Sequence, residues 1–292
     1  MDFLRKFFQA HGRHQPVSVS SRRSTGLPRL ALRPEEFPYA VGAISDKGSE
    51  RLQNEDAIFC FQSVLATGNE TIPFGVFIVA DGLGGHEDGQ VASSITVRTV
   101  AAQLIKSVYV SLLEGHAQDS GSMPINESFI EAIAAANRAI RQSTNGGGST
   151  VIAVITLART VYVAHVGDSR AYIIDGPSIA QATHDHSLVA RLIELKQLSE
   201  SQAMTHPQRH ILYKALGQVS APEPDVHAHT LNPGSHLVLC TDGLWTVVPK
   251  EDLAAAITRA GDSQLACNEL LKLAIARGSD DNISIVLLSS RA

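Results

Sequence analysis

Between residues 39 and 80 the apolar positions fall into three short runs, 39–45, 57–61 and 74–80, rich in β-branched and aromatic residues, which predicts three successive strands. The last two are joined across polar Thr67, Gly68 and Asn69. The spacing then lengthens. Val91, Ala92, Ile95, Thr99, Leu104 and Val108 recur every three or four residues, and Phe129, Ile130, Ile133, Asn137 and Ile140 do so again, which predicts two long amphipathic helices. Asn145-Gly146-Gly147-Gly148 ends the second. Residues 151–157, 161–166 and 171–174 return to strand character as a meander. Residues 187–216 carry a brief helical pattern at Leu188, Leu192 and Leu195 and are then polar, which predicts an irregular, mobile flap. Two strands (226–231 and 236–240), two helices (250–259 and 263–277) and a closing strand (283–288) follow. Grouped strands with paired helices, rather than strict alternation, point to a layered α+β architecture instead of a doubly wound parallel sheet.

Composition narrows this picture without changing it. A chain of 292 residues with 44% hydrophobic content is an ordinary globular protein with room for one large domain, and no apolar run approaches the roughly 18 residues of a spanning helix. Cys60, Cys240 and Cys267 are odd in number, widely spaced and set among apolar residues, so they read as reduced core thiols and favour the cytoplasm. The net charge is −5, yet residues 1–33 hold seven Lys or Arg against Asp2 alone, leaving −11 for the remainder. An acidic body argues against nucleic acid as a partner. Residues 1–36 read as a flexible basic leader, and residues 37–292 as the folded domain. Arg5 and Lys6 interrupt the leader's apolar residues, so it is no signal peptide; Phe3, Leu4, Phe7 and Phe8 leave weak membrane-surface or partner docking open.

The candidate chemistry lies where strands stop. In Val76-Phe77-Ile78-Val79-Ala80-Asp81-Gly82-Leu83-Gly84-Gly85-His86 an apolar run ends at an acid and then at glycines, which would let Asp81 and the Gly82 carbonyl face one ion. An ordinary turn has the same local appearance. Val166-Gly167-Asp168-Ser169-Arg170, Leu239-Cys240-Thr241-Asp242-Gly243 and Asp280-Asp281-Asn282-Ile283-Ser284 repeat the motif of an acid at a strand end. Four such acids on one rim would repel unless a cation neutralised them, and hard oxygen donors select Mg2+ or Mn2+. Zinc would call for His and Cys at short regular spacings, which the three cysteines lack. Upstream, Arg51 precedes Asn54, Glu55 and Asp56: a guanidinium fork suited to phosphate and two acids suited to holding water on a metal, or else a surface salt-bridge loop.

Taken together, these blocks resemble the metal-dependent protein phosphatase family (protein phosphatase 2C), in its bacterial serine/threonine phosphatase branch. The resemblance covers about residues 40–290. It is carried by Arg51-Leu52-Gln53-Asn54-Glu55-Asp56, Val79 to His86, Gly148-Ser149-Thr150, Val166 to Tyr172, Asp185-His186-Ser187, Ala215-Leu216-Gly217, Leu239 to Leu244 and Asp281-Asn282-Ile283-Ser284. It implies an antiparallel β-sandwich flanked by helix pairs with a two-metal centre at one edge. By position, Asp81, Asp242 and Asp281 would hold the first Mn2+ or Mg2+. Asp81 would bridge to the second, joined by the Gly82 carbonyl and, through water, by Asp56 and less directly Glu55. Asp168 and Asp242 would serve a weaker third ion, and Arg51 would grip the substrate phosphate. The implied substrates are phosphoserine and phosphothreonine proteins, with a cognate serine/threonine kinase as the opposing partner and a monomeric enzyme.

The sequence departs from the family in two places. Leu83 stands where animal members carry a His that looks like a general acid, so protonation of the leaving oxygen is unassigned; a metal-held water is one source, and His86 reads as a structural residue of the turn. Lys214 stands before Ala215-Leu216-Gly217 where Arg is usual, which keeps charge but loses the fork. Ser169 and Cys240 sit in no nucleophile motif. His184 and His186 read as structural or capping, Asp185 as a cap or brace of the flap helix, and Trp245 as core packing. Two other functions stay open on residues alone: a phosphatase of small phosphoesters, and a regulatory module recruited through its leader.

Overall fold

The computed structural model describes residues 37–67, 70–84, 87–115 and 124–291. The leader, the Gly68-Asn69 turn and His86 lie outside those residues.

Among the described residues the strands are β1 (Tyr39–Asp46), β2 (Ala57–Thr67), β3 (Glu70–Ala80), β4 (Gly82–Leu83), β5 (Gly148–Ser149), β6 (Val151–Leu157), β7 (Thr160–Val166), β8 (Arg170–Asp175), β9 (Ser178–Gln181), β10 (Asp225–Thr230), β11 (His236–Cys240) and β12 (Ile283–Ser290). The helices are α1 (Glu87–Leu104), which runs on into a π-helical stretch at Ile105–Val110 and a last helical turn at Ser111–Leu113, α2 (Ile125–Ser143), α3 (Leu188–Glu194), α4 (Glu200–Met204), α5 (Asp242–Trp245), α6 (Lys250–Ala260) and α7 (Ser263–Ala276). Two five-stranded antiparallel sheets result, ordered β1-β12-β11-β8-β9 and β10-β7-β6-β3-β2, with β4 and β5 as a separate two-stranded ladder.

The period-2 geometry of the strands explains the layering. On β3, Phe74, Val76, Ile78 and Ala80 face α1 and α2, whereas Phe77 and Val79 face the opposite sheet. β6 repeats this, with Val151, Ala153 and Ile155 toward the helices and Ile152 and Val154 toward the sheet. On β12, Ile283, Ile285 and Leu287 meet α6 and α7 while Val286 and Leu288 meet the other sheet. Central strands covered on both faces must be apolar on both, which is why they read as continuous runs. The expected α+β sandwich with a helix pair on each outer face is the observed fold.

Several local expectations change. The β2–β3 hairpin is longer than the apolar runs, because its register continues to Thr67 and Glu70. β9 was not visible in the sequence: an exposed edge strand needs no apolar pattern. The flap holds a second helix, α4, started by a capping box in which Ser199 and Gln202 exchange side-chain and backbone hydrogen bonds. Cys240 and Cys267 are buried, but Cys60 is exposed on edge strand β2 rather than in the core. Among the described residues no helix is long and apolar enough to cross a membrane.

Candidate active site

β3 ends as its apolar alternation ends, so the residue after Ala80 emerges at the rim of the sandwich. Asp81 is held there by reciprocal bonds with Thr150: its amide donates to Thr150 Oγ1 (2.9 Å), and the Thr150 amide donates to the Asp81 carbonyl (2.9 Å). Thr150 Oγ1 also meets Ser169 Oγ at 2.8 Å, tying the Asp81 and Asp168 segments together. Gly82 then pairs with Ser149 in the β4–β5 ladder. A Cβ on Gly82 would lie 2.2 Å from the Gly89 carbonyl oxygen and 2.6 Å from that of Glu55, so only glycine lets the start of α1 and the 51–56 loop close over this point.

The acid at residue 242 arrives on the first turn of α5, directly after β11, and Asp281 and Asn282 immediately precede β12. Asn282 fixes the facing loop. Its Oδ1 accepts from the Glu55 amide (2.7 Å), and its Nδ2 donates to the carbonyls of Lys47 and Gln53 (both 2.9 Å). Arg51 donates from Nη2 to Asp281 Oδ2 at 2.6 Å and from Nε to the Asp280 carbonyl at 3.2 Å.

One cleft of about 330 Å3 is bordered by Arg51, Glu55, Asp81, Gly82, Asp168, Asp242 and Asp281, so these residues, up to 230 positions apart in sequence, share a single rim. Asp56 does not border the cleft. It is buried behind the wall, where Oδ2 accepts from Thr241 Oγ1 at 2.9 Å. Among the described residues no three His, Cys, Asp or Glu side chains close into a ready coordination cluster. The carboxylates surround a space rather than a point.

Their electrostatics bear on what that space suits. Burial pushes Asp56 up to about 7, with the Asp242 and Asp281 charges adding to it. Asp242 is likewise pushed up to about 7 by burial and then by Asp281. Asp81 lies well above the usual carboxylate range through burial and the charges of Asp56 and Asp242, and Asp168 through burial and Asp242. Such a set resists ionisation by itself and becomes favourable around a cation. The donors are hard oxygens. Cys240, the nearby thiol, is buried against the Arg170 carbonyl and pushed up to about 12 by burial, which removes it as a soft ligand or nucleophile. The donor set therefore fits Mg2+ or Mn2+.

A second network braces the Asp168 loop. Arg170 grips Asp185 bidentately, through Nε (3.0 and 3.1 Å) and Nη2 (2.7 Å), and its guanidinium stacks 3.5 Å from the centre of the Trp245 ring. Trp245 Nε1 donates to the Asp168 carbonyl at 3.1 Å. Trp245 is thus more than packing, and of the two roles expected of Asp185, cap or brace of the flap helix, the cap is corrected: Ser187 is the cap of α3, accepting from the Ala190 amide, while the carboxylate of Asp185 is taken up by Arg170 and Gln181. Asp185→Ala leaves the mostly buried Arg170 without its counter-charge, and denaturant unfolding should show a loss of about 3 kcal/mol.

His186 joins this loop to the flap. The Gly167 amide donates to Nδ1 (3.0 Å), so the ring proton sits on Nε2, which faces Asp225 Oδ2 at 3.2 Å; Lys214 Nζ reaches the other oxygen of Asp225 at 3.1 Å. His184 pairs with Glu194 at the surface. The sequence reading missed His210 and Leu212, flap residues that also border the cleft. No periodicity signals them; only the return of the flap brings them there.

Two antiparallel sheets with paired helices outside, and a carboxylate-walled cleft where their strand ends meet, define a hydrolase-like centre suited to divalent cations. The family described as Protein phosphatase 2C matches residues 41–283. The chain is 30% identical over 253 residues, 85% of its length and 96% of the relative's, to a putative protein phosphatase 2C-type protein of Streptococcus pyogenes. It is 32% identical over 244 residues, 84% of its length and 93% of the relative's, to the serine/threonine phosphatase stp of Listeria monocytogenes. The solved serine/threonine phosphatase of S. agalactiae superposes with a TM-score of 0.73 at 31% identity, over 87% of this chain and all of that one. The chain belongs to the protein phosphatase 2C family and is an enzyme of the phosphoprotein phosphatase class.

Proposed function

We propose that this enzyme hydrolyses phosphoserine and phosphothreonine in proteins with Mn2+ or Mg2+ in the carboxylate cleft, and that it opposes a serine/threonine kinase. The observation that carries this reading is the gathering of Asp81, Asp168, Asp242 and Asp281 on one rim, with Asp81, Asp168 and Asp242 resisting ionisation in its absence. Asp81, Asp242 and Asp281 would hold one ion; Asp81 and the Gly82 carbonyl would hold a second, with Asp56 and Glu55 acting through water; Asp168 and Asp242 would serve a third. Bound divalent ions lower the pKa of water and stabilise charge on a phosphoryl group.

The protein's own contribution is position. Thr150 and Ser169 fix the separation of the Asp81 and Asp168 segments, and Asn282 sets the distance between the Arg51 loop and β12. Arg51 borders the cleft with its guanidinium half exposed, where its fork can take a phosphate in place of Asp281. No side-chain nucleophile is required. A phosphothreonine peptide should be hydrolysed in the presence of Mn2+ and not after chelation, with activity returning when Mn2+ is added back. Equal turnover in excess chelator would overturn the metal assignment, and turnover of small phosphoesters alone would overturn the substrate class.

A further inference from the structure

Hydrolysis of a serine or threonine phosphoester releases an alkoxide-like oxygen, which needs a proton as it leaves. Leu83 cannot supply one, although it borders the cleft beside Gly82. The carboxylates of the cleft are the donors a cation requires, and Arg51 does not give up its proton at physiological pH. Among the described residues bordering the cleft, His210 is the one imidazole, a side chain that can both donate and accept a proton.

Its place there is built into the fold. The chain on its C-terminal side is pinned by two backbone hydrogen bonds, from the Leu188 amide to the Ile211 carbonyl (2.8 Å) and from the Tyr213 amide to the His186 carbonyl (2.9 Å). These flank the bridge between Ser187 and Leu212. His186 is itself bonded through its amide to the Gly167 carbonyl (2.7 Å) and through its ring to the Gly167 amide, one residue before Asp168. A short backbone relay therefore runs from the Asp168 loop to the residue beside His210. His210 is exposed where it borders the cleft.

We propose that His210 is the general acid for the leaving group, an assignment that rests on the phosphatase reading above. In this step the bond between phosphorus and the serine or threonine Oγ breaks with its electron pair moving to Oγ. The imidazolium N–H proton passes to that oxygen, releasing the neutral hydroxyl side chain. A water oxygen forms the new bond to phosphorus and gives its own proton to solvent, from which the imidazole is recharged.

The test compares two substrates of the full-length enzyme with Mn2+: a phosphothreonine peptide, whose leaving group needs the proton, and p-nitrophenyl phosphate, whose leaving group departs as a stable anion. His210→Gln and His210→Asn should lower kcat for the peptide by about a hundredfold, the low end of what a positioned acid contributes, while aryl phosphate turnover falls by less than about threefold. Thermal unfolding midpoints should match the parent. The readout is the ratio of the two losses. A ratio above about ten in both variants supports the assignment, and a smaller ratio, whether both activities persist or both collapse, overturns it. Failure of the parent enzyme to release phosphate from either substrate would instead sink the phosphatase reading, and the assignment with it.

Discussion

Asp81→Asn lowers turnover of a phosphothreonine peptide by about a thousandfold or more, with the fold intact. The substitution keeps the size of the side chain and the backbone bonds with Thr150, so the β3 terminus stays in place. It removes the carboxylate proposed to join the first ion to the second. Metal ions contribute several kcal/mol of charge stabilisation to such reactions, and at about 1.36 kcal/mol per tenfold in rate that loss is of order a thousandfold. A second measurement separates lost chemistry from lost structure. Without metal, desolvation of its carboxyl and then the charges of Asp56 and Asp242 oppose the ionisation of Asp81. The neutral amide relieves that repulsion, so in chelator the variant should melt above the parent, and with Mn2+ its advantage should shrink or reverse. An unchanged kcat with Mn2+ would remove Asp81 from the centre.

The metal-free protein becomes less stable as the pH rises from about 4 to about 7. Asp56 and Asp242 titrate near 7 in the folded protein, against an ordinary value near 4 in the unfolded chain. Between those limits the folded state binds more protons than the unfolded state, so stability falls with rising pH. The contribution is fully present below about pH 4 and lost as the pH passes through about 7. About three units at roughly 1.36 kcal/mol each puts it on the order of 4 kcal/mol for either carboxyl taken alone. Chemical denaturation in chelator at a series of pH values measures the slope directly. Saturating Mn2+ should flatten or invert it, because ligation favours the carboxylate form. A stability that stays flat or rises over the same interval in chelator would show that the fold does not hold these acids protonated.

Much of the fold was legible because its cause is local. The two-residue alternation of β3, β6 and β12 and the three-to-four-residue spacing of α1 and α2 are each set by backbone geometry within a few residues. Edge strand β9, the capping box of α4 and the exposure of Cys60 were not legible, since each depends on what does or does not cover the element.

The site divides similarly. That acids stand at the ends of strands is a property of the sequence: Asp81, Asp168 and Asp242 each follow an apolar run, and Asp281 precedes one, and no structure is needed to see it. That these acids share a cleft was decided by the stacking of two sheets whose strand ends meet at one edge. So were the burial of Asp56 behind the wall, the capture of Asp185 by Arg170, and the arrival of His210 from the flap. A sequence specifies its periodicities through neighbours a few residues apart. The convergence of positions 51, 81, 168, 210, 242 and 281 comes only from burying the apolar faces those periodicities create, and it is there that the fields of separate acids add into a cation site.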